Sequence, residues 1–230
     1  MGAGAVVNVG GTGGIGCEIA RHFQQRGDEV LITGRDSERA ATIAAAIGGG
    51  VTGLGFDLSL PDTIADALAG VGPVSRLVVT AIDRDENPVR DYSIERAIEL
   101  TTMKLVGYTT TIYTLLDRLS DESSVVLFGG RAKDRPYPGS TTVTTVNGGV
   151  SSLIRTLAVE LAPIRFNAIH PGIVGDSPYW KDKNLDGVIA RTPTKRLATM
   201  ADIVGATVFL LENRAMNGAN LYVDGGWMLM

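Results

Sequence analysis

One cysteine and two histidines in 230 residues leave little with which to cross-link or metallate the chain. Cys17 alone cannot close an internal disulfide, so a reducing cytoplasm is the expected compartment. With only His22 and His170 to join it, no zinc-type ligand set is expected. Long uncharged apolar runs are missing as well. No stretch reaches the roughly 20 residues of a membrane-spanning helix, and the opening MGAGAVVNVGG lacks the basic and apolar regions of a secretion signal. Basic residues are in slight deficit, 21 Lys and Arg against 25 Asp and Glu, and a net charge of −4 argues against nucleic acid or an anionic membrane as the main partner.

Glycine is what the sequence has in excess: 29 of 230 residues, or about 13%, where about 7% is usual. Nine prolines without a period exclude a collagen-like repeat, so the glycines serve particular backbone positions. Hydrophobic residues at 44%, charged residues at 20% and a mean hydropathy of +0.15 describe an ordinary globular chain. The length and the lack of any linker point to one domain over residues 1–230.

Short β-branched runs predict strands at Ala5–Val9, Glu29–Thr33, Val51–Phe56, Arg76–Thr80, Ser124–Phe128, Ile164–Ile169 and Asn220–Val223. Between the first two, Ile15, Ile19, Ala20 and Phe23 line one face of a helix ending at Gly27. Asp36 reads as the N-cap of an alanine-rich helix, and Pro61 with Asp62 opens another. Longer helices are expected over 89–118, 141–161 and 200–212. This alternation predicts a doubly wound α/β fold, a parallel sheet with helices on both faces. The polar segment 175–193, which carries Tyr179 and Trp180, is long for a connection and reads as a lid.

Directly after the first strand stands Gly10-Gly11-Thr12-Gly13-Gly14-Ile15-Gly16, leading into a helix. Glycines there permit a tight turn and let a pyrophosphate approach the helix N-terminus. Gly11, Gly13 and Gly16 satisfy GxGxxG, while Gly10, Gly14 and Gly16 satisfy GxxxGxG, and the spacing alone leaves both open. At the end of the second strand, where a carboxylate would favour NAD(H), the run is Thr33-Gly34-Arg35. Arg35 can pair with a 2′-phosphate and Thr12 can add a hydroxyl, which favours NADP(H) over NAD(H); Asp36 turning inward is the alternative.

From these residues onward the chain resembles the short-chain dehydrogenase/reductase family. Asp57-Leu58 matches the family's acidic residue near the adenine ring, Glu160-Leu161-Ala162-Pro163-Ile164-Arg165-Phe166-Asn167 is similar to its "ELAP…IRVN" stretch, and Pro171-Gly172 follows. The ending Leu221-Tyr222-Val223-Asp224-Gly225-Gly226-Trp227 looks like its "YVDGGW". The resemblance implies one Rossmann-type domain of about seven strands, assembled as a dimer or tetramer. It also implies a dinucleotide held by Gly10, Thr12, Gly14, Ile15, Gly16, Arg35, Asp57, Leu58, Ala81, Asn147, Pro171, Gly172 and Ile173.

The family's catalytic residues are replaced. Anchored on Leu157–Leu161, the tyrosine and lysine of its Tyr-x-x-x-Lys helix fall on Val143 and Asn147, and its serine falls on Gly130. No tyrosine occurs between Tyr137 and Tyr179, so a shifted register cannot restore the motif. The family's asparagine falls on Lys104 when Gly107 is aligned with its glycine, and its Asn-Asn-Ala-Gly turn becomes Val79-Thr80-Ala81-Ile82. Valine has no proton to give, and loss of a positioned acid costs about 10²- to 10⁴-fold in rate.

Candidates for the lost groups are Lys104, a lysine able to act as acid or base if desolvated, Tyr137 in a proline-flanked loop, and Asp176, near where the resemblance places a threonine beside the nicotinamide amide, with Asn147 able to hydrogen-bond a ribose. Asp176 reads as a cap for the lid helix, and His170 as a structural histidine at a strand end. The expected activity is an atypical NADP(H)-dependent reduction of a small, apolar organic substrate such as an imine or enone. A non-reductive dinucleotide-binding protein or a redox-neutral enzyme is the alternative.

Overall fold

The computed structural model describes residues 4–230. Its strands are β1 (Ala5–Val9), β2 (Val30–Gly34), β3 (Thr52–Gly55), β4 (Val74–Val79), β5 (Leu119–Phe128), β6 (Arg165–Pro171) and β7 (Asn220–Val223). All pair in parallel into one seven-stranded sheet of order β3-β2-β1-β4-β5-β6-β7. The helices are α1 (Gly14–Gln25), α2 (Ser37–Ile47), α3 (Ile64–Ala67), α4 (Ile94–Thr101), α5 (Tyr108–Leu115), α6 (Thr141–Glu160), α7 (Asp186–Arg191) and α8 (Met200–Glu212). This is the doubly wound arrangement expected from the alternation of strand and helix patterns.

Two apolar layers hold it. On one face Ile19 and Phe23 of α1, Ala44 of α2 and Ile203 and Leu210 of α8 pack on Val6, Ile32 and Val126. On the other, Tyr108 and Ile112 of α5 and Val150 and Ile154 of α6 pack on Val7, Leu77 and Leu127. Alternate residues of a strand feed opposite layers, as Val6 and Val7 do, and each fully buried large side chain contributes about 1.5–3 kcal/mol. The strand order reverses between β1 and β4, which opens a crevice at the carboxyl ends of the strands, where open α/β sheets place ligands.

The clearest departures from the sequence pattern are at β5 and in the helix expected over 89–118. β5 starts at Leu119 rather than Ser124: Ser120, Asp121 and Glu122 are polar and exposed, but Ser123 donates its hydroxyl to Val74 O at 2.8 Å and the pairing of Leu119 with Val74 extends the strand. The expected helix over 89–118 begins only at Ile94, because Ser93 caps it through Arg96 N–H and Asn87 binds Ser93 at both its N–H and its carbonyl. That helix is then interrupted by a π turn over Thr102–Gly107. Gly107 is what lets this turn sit against β3's successor loop, since a Cβ there would strike the Leu58 carbonyl.

Candidate active site

The glycine loop is pinned from beneath. Asn8, buried in the apolar strand β1, donates from Nδ2 to Gly16 O at 2.6 Å, and the Thr80 hydroxyl reaches Val9 O and Gly10 O at 3.1 Å each. Gly10 has φ +89°, and a Cβ on it would lie 2.6 Å from Ala81 N. A Cβ on Gly16 would run into Gly10 O and lie 2.7 Å from Thr80 Oγ1, whereas one on Gly13 would meet nothing within 4 Å. Gly11 is crowded too, its Cβ position lying 2.8 Å from Ile32 Cβ, so within the GxGxxG spacing Gly13 is the position with no steric demand, whereas Gly10, Gly16 and Gly14, at φ +49°, each require glycine, which favours the GxxxGxG spacing. Gly13 caps α1 without a side-chain bond, so the first N–H groups of the helix stay open. Ile15 packs half-buried against the α1 layer. A cradle of this kind fits a pyrophosphate.

Beside the loop, Thr12 covers Gly34, where a Cβ would come 2.8 Å from Thr12 Oγ1. Next along the chain, the exposed Arg35 lies 3.4 Å from Asp83, in the loop after β4. Both line a cavity of about 160 Å³ with Asp57, Ser59, Arg84 and Asp85. Asp57 accepts from Ser59 N–H and Oγ at 2.8 and 2.7 Å, and the buried Asp85 is paired with Arg96. Leu58 is buried against the π turn.

The other side of the crevice is floored by Lys104. It is 3% exposed, and its ammonium donates to Phe128 O at 2.7 Å and to the Tyr108 hydroxyl at 3.1 Å, which in turn donates to Ala81 O at 2.7 Å. Burial lowers the Lys104 ammonium to about 7 and raises the Tyr108 phenol well above its ordinary range. Two residues past Phe128, a Cβ on Gly130 would lie 2.9 Å from Asn147 Nδ2. Asn147 is 5% exposed, and its amide has no hydrogen-bond partner among the described residues. That amide fits a ribose hydroxyl. Val143, one turn earlier on α6, is half-buried against the apolar layer.

His170 is fully buried on β6, with Nε2 2.7 Å from Asn220 Oδ1 and 3.3 Å from Ser151 Oγ. Burial lowers it to about 4, so it is neutral and ties α6 to β7. A Cβ on Gly129 would strike its ring, so the Gly129-Gly130 pair is set by His170 on one side and Asn147 on the other. Pro171 ends β6. Gly172 donates to Val223 O at 2.9 Å and faces Asp224 too closely for a Cβ, and Ile173 follows half-exposed.

The mouth is closed by charged and aromatic groups. Arg84 stacks 3.5 Å over the Tyr179 ring and Lys183 lies 3.3 Å from that ring's centroid, while Pro178 comes within van der Waals range of the Cβ position of Gly14. Residues 175–193 therefore reach over the glycine loop. Tyr137 is about half exposed and lines a cavity of about 450 Å³ with Pro88, Val89, Pro136, Pro138 and Thr144. Burial raises its phenol and the nearby Arg84 charge opposes that shift. Its hydroxyl makes no bond to Lys104 or Asn147 among the described residues. Asp176 accepts from Met200 N–H at 2.8 Å, so it caps α8 rather than α7. Arg131 pairs with Asp224 at 3.0 Å and Arg135 stacks on Trp227, which holds the loop after β5 onto the C-terminal turn.

Sequence reasoning passed over Asn8, Thr80, Asp83 and Arg84. Asn8 carried a readable signal, a polar residue inside an apolar strand. The other three act through partners far away in the chain.

A family model described as Enoyl-(Acyl carrier protein) reductase matches residues 9–228. The 3-oxoacyl-[acyl-carrier-protein] reductase of Bos taurus is 31% identical over 229 residues, covering 96% of each chain. Short-chain dehydrogenase/reductase malC of Malbranchea aurantiaca is 27% identical over 252 residues, covering 97% of this chain and 94% of its own. Its solved structure, named MalC Reductase/Diels-Alderase, superposes with a TM-score of 0.90 at 26% identity over 99% and 96% of the two chains. The structure of a short chain dehydrogenase/reductase family protein gives 0.87 at 29% identity over 98% and 97%.

Proposed function

Because the chain belongs to the short-chain dehydrogenase/reductase family, and is thereby an oxidoreductase, we propose that it is an NADP(H)-dependent reductase of a small apolar organic substrate by a route without the Ser-Tyr-Lys triad. The observation that carries the reading is the floor of the crevice: Val143 and Gly130 offer no proton, while a buried ammonium, Lys104, lies beneath Phe128 O. When bound, the nicotinamide supplies hydride. The chain's own residues divide the remaining work. Gly10, Gly14, Ile15 and Gly16 present the open helix amides to the phosphates, Thr12 and Arg35 face the 2′ position, and Asp57, Leu58 and Ala81 border the adenosine. Asn147 serves the ribose near Pro171, Gly172 and Ile173.

Lys104 stands where the resemblance expects an amide and Asn147 where it expects an ammonium. The pair keeps one of each group at the floor with the charge moved to the π turn. Lys104 there holds or releases a proton near neutral pH, and Tyr137 stands at the mouth beside the apolar cavity. An iminium carbon needs no proton at the reacting atom, and an enone can take its proton elsewhere. The lining of Pro88, Val89, Pro136 and Pro138 supports an apolar substrate, with 175–193 as its lid.

The test is NADPH oxidation with imine, enone and ketone panels. Oxidation with an imine or enone is expected, whereas simple ketones turned over at ordinary family rates, unaffected by substitution of Val143, would overturn the route. The relative named Reductase/Diels-Alderase favours a second reading, a redox-neutral step in the same pocket, in which product forms without NADPH being consumed. Cytoplasmic residence and assembly as a dimer or tetramer belong to the same proposal. Among the described residues no helix is long and apolar enough to cross a membrane. The exposed Ile94, Ile98 and Tyr113 on α4 and α5 support assembly, and light scattering that returned a monomer mass would refute it.

A further inference from the structure

We propose that Asp83 is a specificity-determining residue that sets the balance between NADPH and NADH at the β2 end of the crevice. The inference rests on the dinucleotide reading above and goes beyond it. Four acids and three arginines crowd the cavity of about 160 Å³. Most of these charges are committed. Asp57 holds Ser59, Asp85 holds Arg96, and the Arg84 guanidinium is stacked on Tyr179.

Arg35 and Asp83 differ from these. Their side chains are 68% and 44% exposed, and their 3.4 Å contact joins the end of β2 to the loop after β4. A long, exposed pair of this kind is weak and exchanges readily for a ligand. The two groups favour opposite ligands. A 2′-phosphate takes charge-assisted bonds from Arg35 and is repelled by the Asp83 carboxylate beside it. A free ribose diol donates to a carboxylate, and Asp83 brings one from β4 to the place where the chain has none on β2. Arg35 therefore selects for NADPH, and Asp83 opposes that selection and admits NADH.

Dissociation constants for NADPH and NADH, measured by nucleotide fluorescence titration at one ionic strength, test this in the wild type and in Asp83→Asn. The substitution keeps a side-chain oxygen able to accept from Arg84 N–H, as Asp83 does at 2.9 Å, and so preserves the local loop. Wild type is expected to bind both nucleotides. Asp83→Asn should tighten NADPH and weaken NADH, each by roughly three- to tenfold. Arg35→Ala should weaken NADPH by a similar factor and spare NADH. An NADPH-to-NADH ratio unchanged within about twofold in Asp83→Asn, or equal weakening of both nucleotides, would overturn the role of Asp83 while leaving the cofactor reading intact. Wild type that bound neither nucleotide would overturn the cofactor reading and this inference with it.

Discussion

Lys104 is the residue in which burial and chemistry meet most directly. Its ammonium has two acceptors, Phe128 O and the Tyr108 hydroxyl, but no carboxylate is among them, and burial lowers it from 10.5 to about 7. Below about pH 7 the group is protonated both folded and unfolded, and folding bears the whole cost of burying the charge. From about 7 to about 10 the unfolded chain still binds that proton and the folded chain does not, so unfolding free energy rises with pH, by at most about 1.4 kcal/mol per unit from this group. Urea denaturation of wild type and Lys104→Met at pH 7, 8 and 9 isolates the effect, because other titrations cancel in the difference. The difference should move in favour of wild type as pH rises. Parallel stability curves would show that Lys104 carries no depressed proton affinity. The sequence marked Lys104 through alignment with Gly107 alone; its hydrogen bonds come from β5 and from the next helical turn and were not readable there.

At the scale of elements, legibility followed how local the cause was. Asp36 caps α2 as its position suggested, accepting from Arg39 N–H at 2.8 Å, because a cap is settled within four residues. β1 and β7 ran over the expected residues, their ends set by glycine and asparagine beside apolar runs. The π turn at Thr102–Gly107 was not legible. Nothing in its side-chain periodicity departs from an α-helix, and the extra residue is accommodated against Leu58 and Phe128, distant in sequence. The glycine loop fell between these cases. Its presence was plain from the sequence, but two spacings were possible, and only the folded structure separates them: Ala81 and Thr80, just after β4, crowd Gly10 and Gly16, while Gly13 faces open space.

Across the whole molecule, the crevice draws on segments that are far apart in the chain: the glycine loop, Arg35 after β2, Asp57 after β3, Ala81 to Arg84 after β4, Asn147 on α6 and Gly172 to Tyr179 after β6. Only the folded sheet brings them together, so a dinucleotide bound there has no matching site in the unfolded chain and must shift the unfolding equilibrium by mass action. At a nucleotide concentration a hundred times its dissociation constant the gain is about 2.7 kcal/mol. For a chain of this size each kcal/mol corresponds to about 2–4 °C, so NADPH should raise the unfolding temperature by roughly 5–10 °C. Differential scanning calorimetry with and without NADPH measures this directly, and Gly16→Ala, whose Cβ would run into Gly10 O, provides the control. The variant should unfold at a temperature indifferent to nucleotide even if its own stability is lower. If neither NADPH nor NADH shifts the wild-type transition, the crevice holds no dinucleotide, and the roles assigned to Arg35 and Asn147 fall with it.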